Sequence, residues 1–433
     1  NPLKKFFLFA NWSIKFVDRL RAHWFRDRAL REAEKWMLER FEGSSGFGAI
    51  FPPMIYALMA LRCLGYSDDD PQVMRARKEL EDLAIEESDT LRVQPCKSPV
   101  WDTAIVMNAL LSSGLSPNDP ALVKATEWIL SKEIRKKGDW VAKRPELEPS
   151  GWAFEYENAF YPDVDDTAMV LLALSGIRDA DRTGAVTRGR KWILGMQNSD
   201  GGWASFDVDN NREIFCNVPF ADHNAMIDPS TADITARNLE MLSHFGFDES
   251  DPQVKRGLAY VLKEQEADGS WFGRWGVNYI YGTWQVLKGL CAIGLSPEHP
   301  SIKRGVSWLL DCQNTDGGWG ETCATYESES HKGNGDSTPS QTAWALMGLI
   351  AARADSSAID RGIQYLISTQ NTDGTWNEDE WTGTGFPKVF YLKYHLYKDS
   401  FPLWALSMYS ERNAGSLADR GSEYVASGRG GYG

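Results

Sequence analysis

Four segments of the chain repeat one pattern: "GRKWILGMQNSDGGW", "GLAYVLKEQEADGSW", "GVSWLLDCQNTDGGW" and "GIQYLISTQNTDGTW". In each a Gln stands six residues before a Trp, giving the pairs Gln197/Trp203, Gln265/Trp271, Gln313/Trp319 and Gln370/Trp376. Each segment opens as an amphipathic helix and closes in an Asp-Gly turn. "ATEWILSKEIRKKGDW" (125–140) reads as a degenerate fifth copy that lacks the Gln. A Gln amide beyond a helix end can bond its exposed carbonyls, and the Trp after the turn can stack over the next unit. The repeat is therefore expected to staple adjacent helix pairs together rather than to catalyse.

A second, more apolar helix family alternates with the first. Its members are "DTAIVMNALLSSG", "DTAMVLLALSG", "ITARNLEMLSHFG", "GTWQVLKGLCAIG" and "QTAWALMGLIAAR". They carry Thr103, Thr167, Thr235, Thr283 and Thr342 near their starts, at separations of 64, 68, 48 and 59 residues. Polar outer helices alternating with apolar inner ones imply helix-pair repeats. Curled into a ring they form an all-α fold, an α/α barrel, with the inner helices parallel. The segments preceding the inner helices then share one mouth: "QPCKSPVWDT", "FYPDVDDT", "STADIT", "GRWGVNYIYGT" and "FPKVFYLKYHLYKDSFP". An acidic cluster and many aromatic rings converge there.

The chain has 433 residues, enough for two domains, and a formal charge of −14 that argues against nucleic acid as a partner. Its 18 Trp, 15 Tyr and 19 Phe exceed what a core needs, so some rings are expected to line a surface or cavity. The six cysteines show no paired short spacing, which suggests free thiols in a reducing compartment. Cys216 and His223 lack any recognised zinc spacing, and no metal or cofactor is expected. No run of eighteen apolar residues exists to span a bilayer. Residues 3–26, "LKKFFLFANWSIKFVDRLRAHWFR", set six basic residues against one acid among Phe and Trp rings, as in a segment lying on a bilayer surface. The expected division is a partial second α-helical domain over 1–95, a barrel over 96–412 and a disordered tail over 413–433.

Asp163, Asp165 and Asp166 stand within four positions at the start of an inner helix. N-capping accounts for one of them, with Asp166 the expected cap. A Mg²⁺–diphosphate site would need basic partners, which the aromatic mouth segments do not supply. A calcium loop at "DVDNNREIFCNV" (207–218) fails because Arg212 and Val218 occupy the turn and final acid positions. The remaining reading is a Brønsted acid, since crowded carboxylates cannot all ionise and the group retains a proton. If that proton reaches an alkene, the resulting carbocation needs stabilisation without a nucleophile, and aromatic faces provide it.

The Gln…Trp repeats, "QPCKSPVWDT", "YPDVDDTA", "GSWFGRWGVNYIYGTW" and "GTGFPKVFYLKYHLY" together closely resemble the squalene–hopene cyclases, bacterial class II triterpene cyclases. The resemblance covers all but the glycine-rich tail. It implies an α/α barrel of the terpene cyclase and prenyltransferase type with part of a second such barrel. It implies that Asp165 protonates the terminal alkene of squalene, supported by Asp163 and Asp166, with Asp102 and Asp233 in the surrounding hydrogen-bond network. Trp101, Phe154, Phe206, Trp275, Phe386, Phe390, Tyr394 and Tyr397 would line the cavity, and Tyr281 would lie near the acid. Where some members carry His this chain has Arg237, and the expectation is a hydrogen-bonded Asp165–Arg237 pair. The family is monotopic on one membrane leaflet, on the cytoplasmic side in bacteria, and commonly homodimeric, which agrees with a membrane-facing 3–26. Members are longer at the N-terminus, so the chain is expected to be a fragment. Rival readings are a cyclase of diterpenyl diphosphate or another polyprene, an α/α-barrel glycosidase with two carboxylates flanking its substrate, and a non-catalytic helical-repeat lipid-binding scaffold.

Overall fold

The computed structural model describes residues 2–19, 25–177, 180–218, 223, 225–354 and 356–427, with side chains through Ala414 apart from Arg182 and Ser356. Residues 20–24 of the membrane-facing segment and the closing 428–433 lie outside the described residues.

The chain divides into two compact units. The first comprises residues 1–98 together with the loops 154–161 and 212–227. Its helices are α1 (Pro2–Arg19), α2 (Arg26–Phe41), α3 (Phe51–Leu64) and α4 (Pro71–Glu81), followed by an antiparallel pair, β1 (Ala84–Glu86) and β2 (Leu91–Val93). Met37, Phe41, Ala57, Leu61, Val73 and Ala76 form its core. Asp70 caps α4 by accepting the Gln72 amide, with Pro71 in the first turn where its missing N–H costs nothing. The expected boundary after residue 95 falls near the observed one after Ser98, but the two loops that join the first unit carry no sequence signal of it.

The second unit holds α5 (Pro99–Ser112), α6 (Pro120–Ser131), α7 (Val164–Ser175), α8 (Ala185–Gly195), α9 (Ala232–His244), α10 (Pro252–Lys263), α11 (Tyr279–Ala292), α12 (Pro300–Asp311), α13 (Pro339–Ala351), α14 (Ser356–Thr369), the hairpin β3 (Gly383–Phe386) and β4 (Phe390–Leu392), and α15 (Tyr397–Ser427). Helices α5, α7, α9, α11, α13 and α15 pack each on the next, and α15 returns to α5, closing an inner ring. Helices α6, α8, α10, α12 and α14 lie outside it, each against the inner helix that precedes it or follows it. The α/α barrel is the fold. The last helix is described through Ser427, with Pro402 inside it, past residue 412 where the sequence reading placed the start of a disordered tail.

The repeats staple the units as expected. Gln265 donates to the Gly269 carbonyl of its own turn (2.8 Å) and to the Ser301 carbonyl at the start of the next outer helix (2.9 Å). Gln197 and Gln313 bond Gly201 and Gln253, and Gly317 and Ala358, in the same way. Each repeat Trp donates its indole N–H back to its own outer helix, as Trp271 does to Val261 (2.8 Å). Its amide is taken by the inner-helix Thr, so Trp203, Trp271 and Trp319 pair with Thr235, Thr283 and Thr342. The degenerate fifth copy corrects the sequence reading. Trp152, not Trp140, donates to the Ile129 carbonyl and to Thr167, because the turn there is lengthened by an insertion that hides the spacing.

Candidate active site

Helix α7 begins at Val164 because Asp163, in extended conformation, turns its Oδ1 onto the amides of Asp165 (2.6 Å) and Asp166 (3.2 Å). Asp163 is therefore the cap and not Asp166. A capping side chain must sit before the first helical residue to reach the free amides, whereas Asp166 is already the third residue inside. Thr167 fixes the same turn, donating to the Asp163 carbonyl (2.6 Å) while accepting the Trp152 amide (2.9 Å). With Asp163 occupied, Asp165 is turned into the ring.

Arg237, on α9, donates its Nε to Asp165 Oδ1 at 2.6 Å, with both side chains nearly inaccessible at 1% and 7% exposure. Its Nη2 donates to Tyr281 Oη on α11 at 2.7 Å. The guanidinium carbon lies 5.1 Å from the Trp101 ring on α5, and Trp101 donates its indole N–H to Tyr397 Oη on α15 at 2.6 Å. Five inner helices thus each give one side chain to a continuous chain of contacts. Their first turns must share one end of the barrel. The expected Asp165–Arg237 pair is present.

Electrostatics set the pair's properties. Burial raises the Asp165 carboxyl and the Asp233 charge adds to that, while the Arg237 charge and hydrogen bond oppose it, and the net shift is upward. Asp163 stands well above its ordinary value, chiefly through burial and then through repulsion from Asp165. Burial opposes the charge of Arg237, but Asp165 and Tyr281 overcome it and hold the guanidinium charged. Burial first, and the Asp165 and Asp233 charges after it, push the Tyr281 phenol up. The outcome is a carboxyl that ionises less readily than an ordinary aspartate, with one oxygen tied to a permanent cation. When the proton leaves, the cation is already in place to hold the charge left behind.

The other expected acids sit around this core. Asp233 is buried at the start of α9 and accepts the amides of Arg274 (2.6 Å) and Ile234 (2.9 Å). Asp102 is half-buried on α5, its charge acting on Tyr397. Of the expected aromatic residues, Trp101, Tyr281 and Tyr397 are fully buried, whereas Phe206, Trp275, Phe386, Phe390 and Tyr394 are half-buried. These pair as Phe206 against Trp275 edge-on at 6.4 Å, Phe386 against Phe390 at 5.7 Å, and Tyr394 stacked on Tyr397 at 4.4 Å. Phe154 is half-buried and belongs to the first unit.

Sequence reasoning passed over Asp228, which gathers the amides of Ser205, Phe206 and Asp207 and whose charge bears on Asp163. It also passed over Trp284 and Trp344, stacked 5.9 Å apart behind Tyr281. Their signal was their place one residue after Thr283 and two residues after Thr342, near helix starts.

Residues 97–411 match the squalene-hopene cyclase C-terminal domain, and residues 1–89 match the squalene-hopene cyclase N-terminal domain. The chain belongs to the squalene–hopene cyclase family. It is 49% identical to the squalene–hopene cyclase of Alicyclobacillus acidocaldarius over 93% of this chain and 66% of that protein. It is 44% identical to the squalene–hopene cyclase of Bradyrhizobium diazoefficiens over 93% and 62%. The dammaradiene synthase of Dryopteris crassirhizoma is 45% identical over 94% of this chain and 63% of its own length. The chain therefore spans slightly less than two thirds of these relatives. Among solved structures, the type II terpene cyclase MstE from Scytonema superposes with a TM-score of 0.51 at 17% identity, covering 76% of this chain and 92% of its own. At that identity the likeness concerns the fold.

Proposed function

We propose that this protein is a squalene–hopene cyclase, in which Asp165 protonates the terminal alkene of squalene and the aromatic lining carries the cation through ring closures to a pentacyclic hopanoid. The observation that supports this most strongly is the buried Asp165 with Oδ1 held by Arg237, in a ring of inner helices rich in Trp, Tyr and Phe. The protonated carboxyl gives its proton to the terminal alkene, whose π pair forms the new C–H bond, leaving a carbocation and a carboxylate. Arg237, backed by Tyr281, then stabilises the carboxylate. Quadrupoles of the half-buried rings stabilise positive charge without offering a lone pair to trap it. In a protein containing this chain, Asp165→Asn should lower squalene conversion by about 10²–10⁴-fold, read by gas chromatography of the lipid extract. Turnover at the wild-type rate would overturn the assignment of the acid.

The 45% identical dammaradiene synthase favours a second reading, in which the product is a different triterpene. Product analysis distinguishes the two. The exposed face of helix α1 supports attachment to one membrane leaflet. Among its 18 residues none is buried, and Phe6, Phe9, Trp12 and Phe16 are exposed beside Lys4, Lys5 and Lys15. No described helix is long and apolar enough to cross a membrane.

A further inference from the structure

The hairpin that carries Phe386 and Phe390 is irregular. Gly383 pairs with Leu392 and Thr384 with Tyr391, but the register then shifts, so that Phe386 pairs with Phe390 and Gly385 is the extra residue. A residue inserted in this way leaves its own carbonyl outside the ladder and re-aims the side chains after it. Here the bulge brings the two Phe rings to 5.7 Å. A Cβ on Gly385 would lie 2.5 Å from the Phe390 ring, so only glycine allows the ring to close over the bulge.

Arg274 satisfies the stranded carbonyl. Both its Nη1 and Nη2 donate to Gly385 O at 3.2 Å. The arginine's own backbone is anchored twice in the site: its amide donates to Asp233 at 2.6 Å, and the segment after it pairs with the hairpin. Val277 donates to the Thr382 carbonyl (2.9 Å), and Thr384 donates to the Trp275 carbonyl (3.0 Å). Its guanidinium carbon also lies 4.0 Å from the Trp275 ring, and that indole donates to Ser205 at 2.9 Å. The Arg274 side chain therefore ties the bulge to the Trp275 ring. Its backbone amide separately holds the start of α9 through Asp233, and its guanidinium makes no hydrogen bond to a carboxylate among the described residues.

We propose that Arg274 is a positioning residue that fixes the aim of Phe386 and Phe390 and so decides how far ring closure proceeds. This rests on the cyclase reading above. The acid that starts the reaction is held by Arg237, which Arg274 does not contact. Losing Arg274 leaves the Asp165–Arg237 hydrogen bond in place but removes a charge that bears on Asp228, Asp233 and Asp163. It also loosens the rings expected to meet the later cations, so the product ratio per squalene consumed is the readout that separates positioning from initiation. A guanidinium already lying on Trp275 also makes that ring a poorer host for a second positive charge, so late stabilisation falls to the hairpin.

The test compares wild type, Arg274→Gln and Arg274→Lys in a protein containing the whole chain. Two quantities are read: the ratio of incompletely closed to pentacyclic products per squalene consumed, and amide hydrogen exchange over 383–392. Arg274→Gln should raise the ratio roughly tenfold, equivalent to about 1.4 kcal/mol in competing barriers, and should speed exchange in the hairpin while inner-helix amides stay protected. Arg274→Lys, with its donors on a single nitrogen and no planar fork, should fall between the two. A fall in turnover with an unchanged ratio and an unchanged hairpin would show a merely structural role and overturn the proposal. If wild type fails to convert squalene, the cyclase reading fails instead. The exchange measurement then still decides whether Arg274 holds the hairpin.

Discussion

Asp165 and Arg237 form a buried pair that nature could have replaced with apolar packing at little cost to stability, since desolvating two charges offsets most of their attraction. Their retention makes sense for a proton donor. The opposing effects on Asp165 can be separated by mutation, and the direction is fixed by sign. Activity requires the protonated carboxyl, so it is lost as pH rises through the folded value. Asp233 raises that value and Arg237 lowers it. Asp233→Asn should therefore shift the alkaline limb of the rate profile to lower pH. Arg237→Gln should shift it to higher pH and depress the plateau, because the conjugate base loses its cation. A pH profile of kcat for the two variants checks both, and limbs moving in the same direction would refute the electrostatic account. The presence of an acid at 163–166 was legible in the sequence. The division of labour was not, because capping depends on which carboxylate precedes the helix, and Asp163 rather than Asp166 does.

At the scale of the element, the outer helices carry glycines whose role only packing reveals. Gly189, Gly257, Gly305 and Gly362 open the repeat segments and receive the Trp of the preceding unit. A Cβ on Gly305 would stand 2.7 Å from Trp271, and one on Gly362 would stand 2.7 Å from Trp319. In an exposed helix Gly→Ala would stabilise by up to about 1 kcal/mol. Here the sign should reverse, because overpacking costs about 1–3 kcal/mol. Gly305→Ala should lower Tm by several degrees in thermal unfolding, and an unchanged or higher Tm would show that Trp271 can give way. Helix alternation and the staples were readable because their periods are local. The fifth staple was misread because Trp152 stands twenty-three residues from the carbonyl it reaches, where the regular copies span ten.

At the scale of the whole molecule, α1 has a face that none of the described residues buries. Phe9, Trp12 and Phe16 stack along it, at 6.1 and 5.7 Å between neighbouring rings. Replacing Phe9 and Trp12 by Ser should weaken co-flotation with vesicles of anionic phospholipid, each large apolar side chain being worth about 1.5–3 kcal/mol when buried. Flotation equal to wild type would remove α1 from the membrane reading. The closed circle of inner helices, by contrast, lies within the second unit. By itself the sequence determined the alternation of polar and apolar helices, the Gln…Trp staples, the acidic start of α7 and the family, because each is written in spacings of a few residues or in motifs. Only the tertiary structure decided that Asp163 rather than Asp166 is spent on capping, and that Arg274 holds a bulge 111 residues distant. That distant contact arises when parallel helices close into a ring, and no local period records which residues then come to face one another.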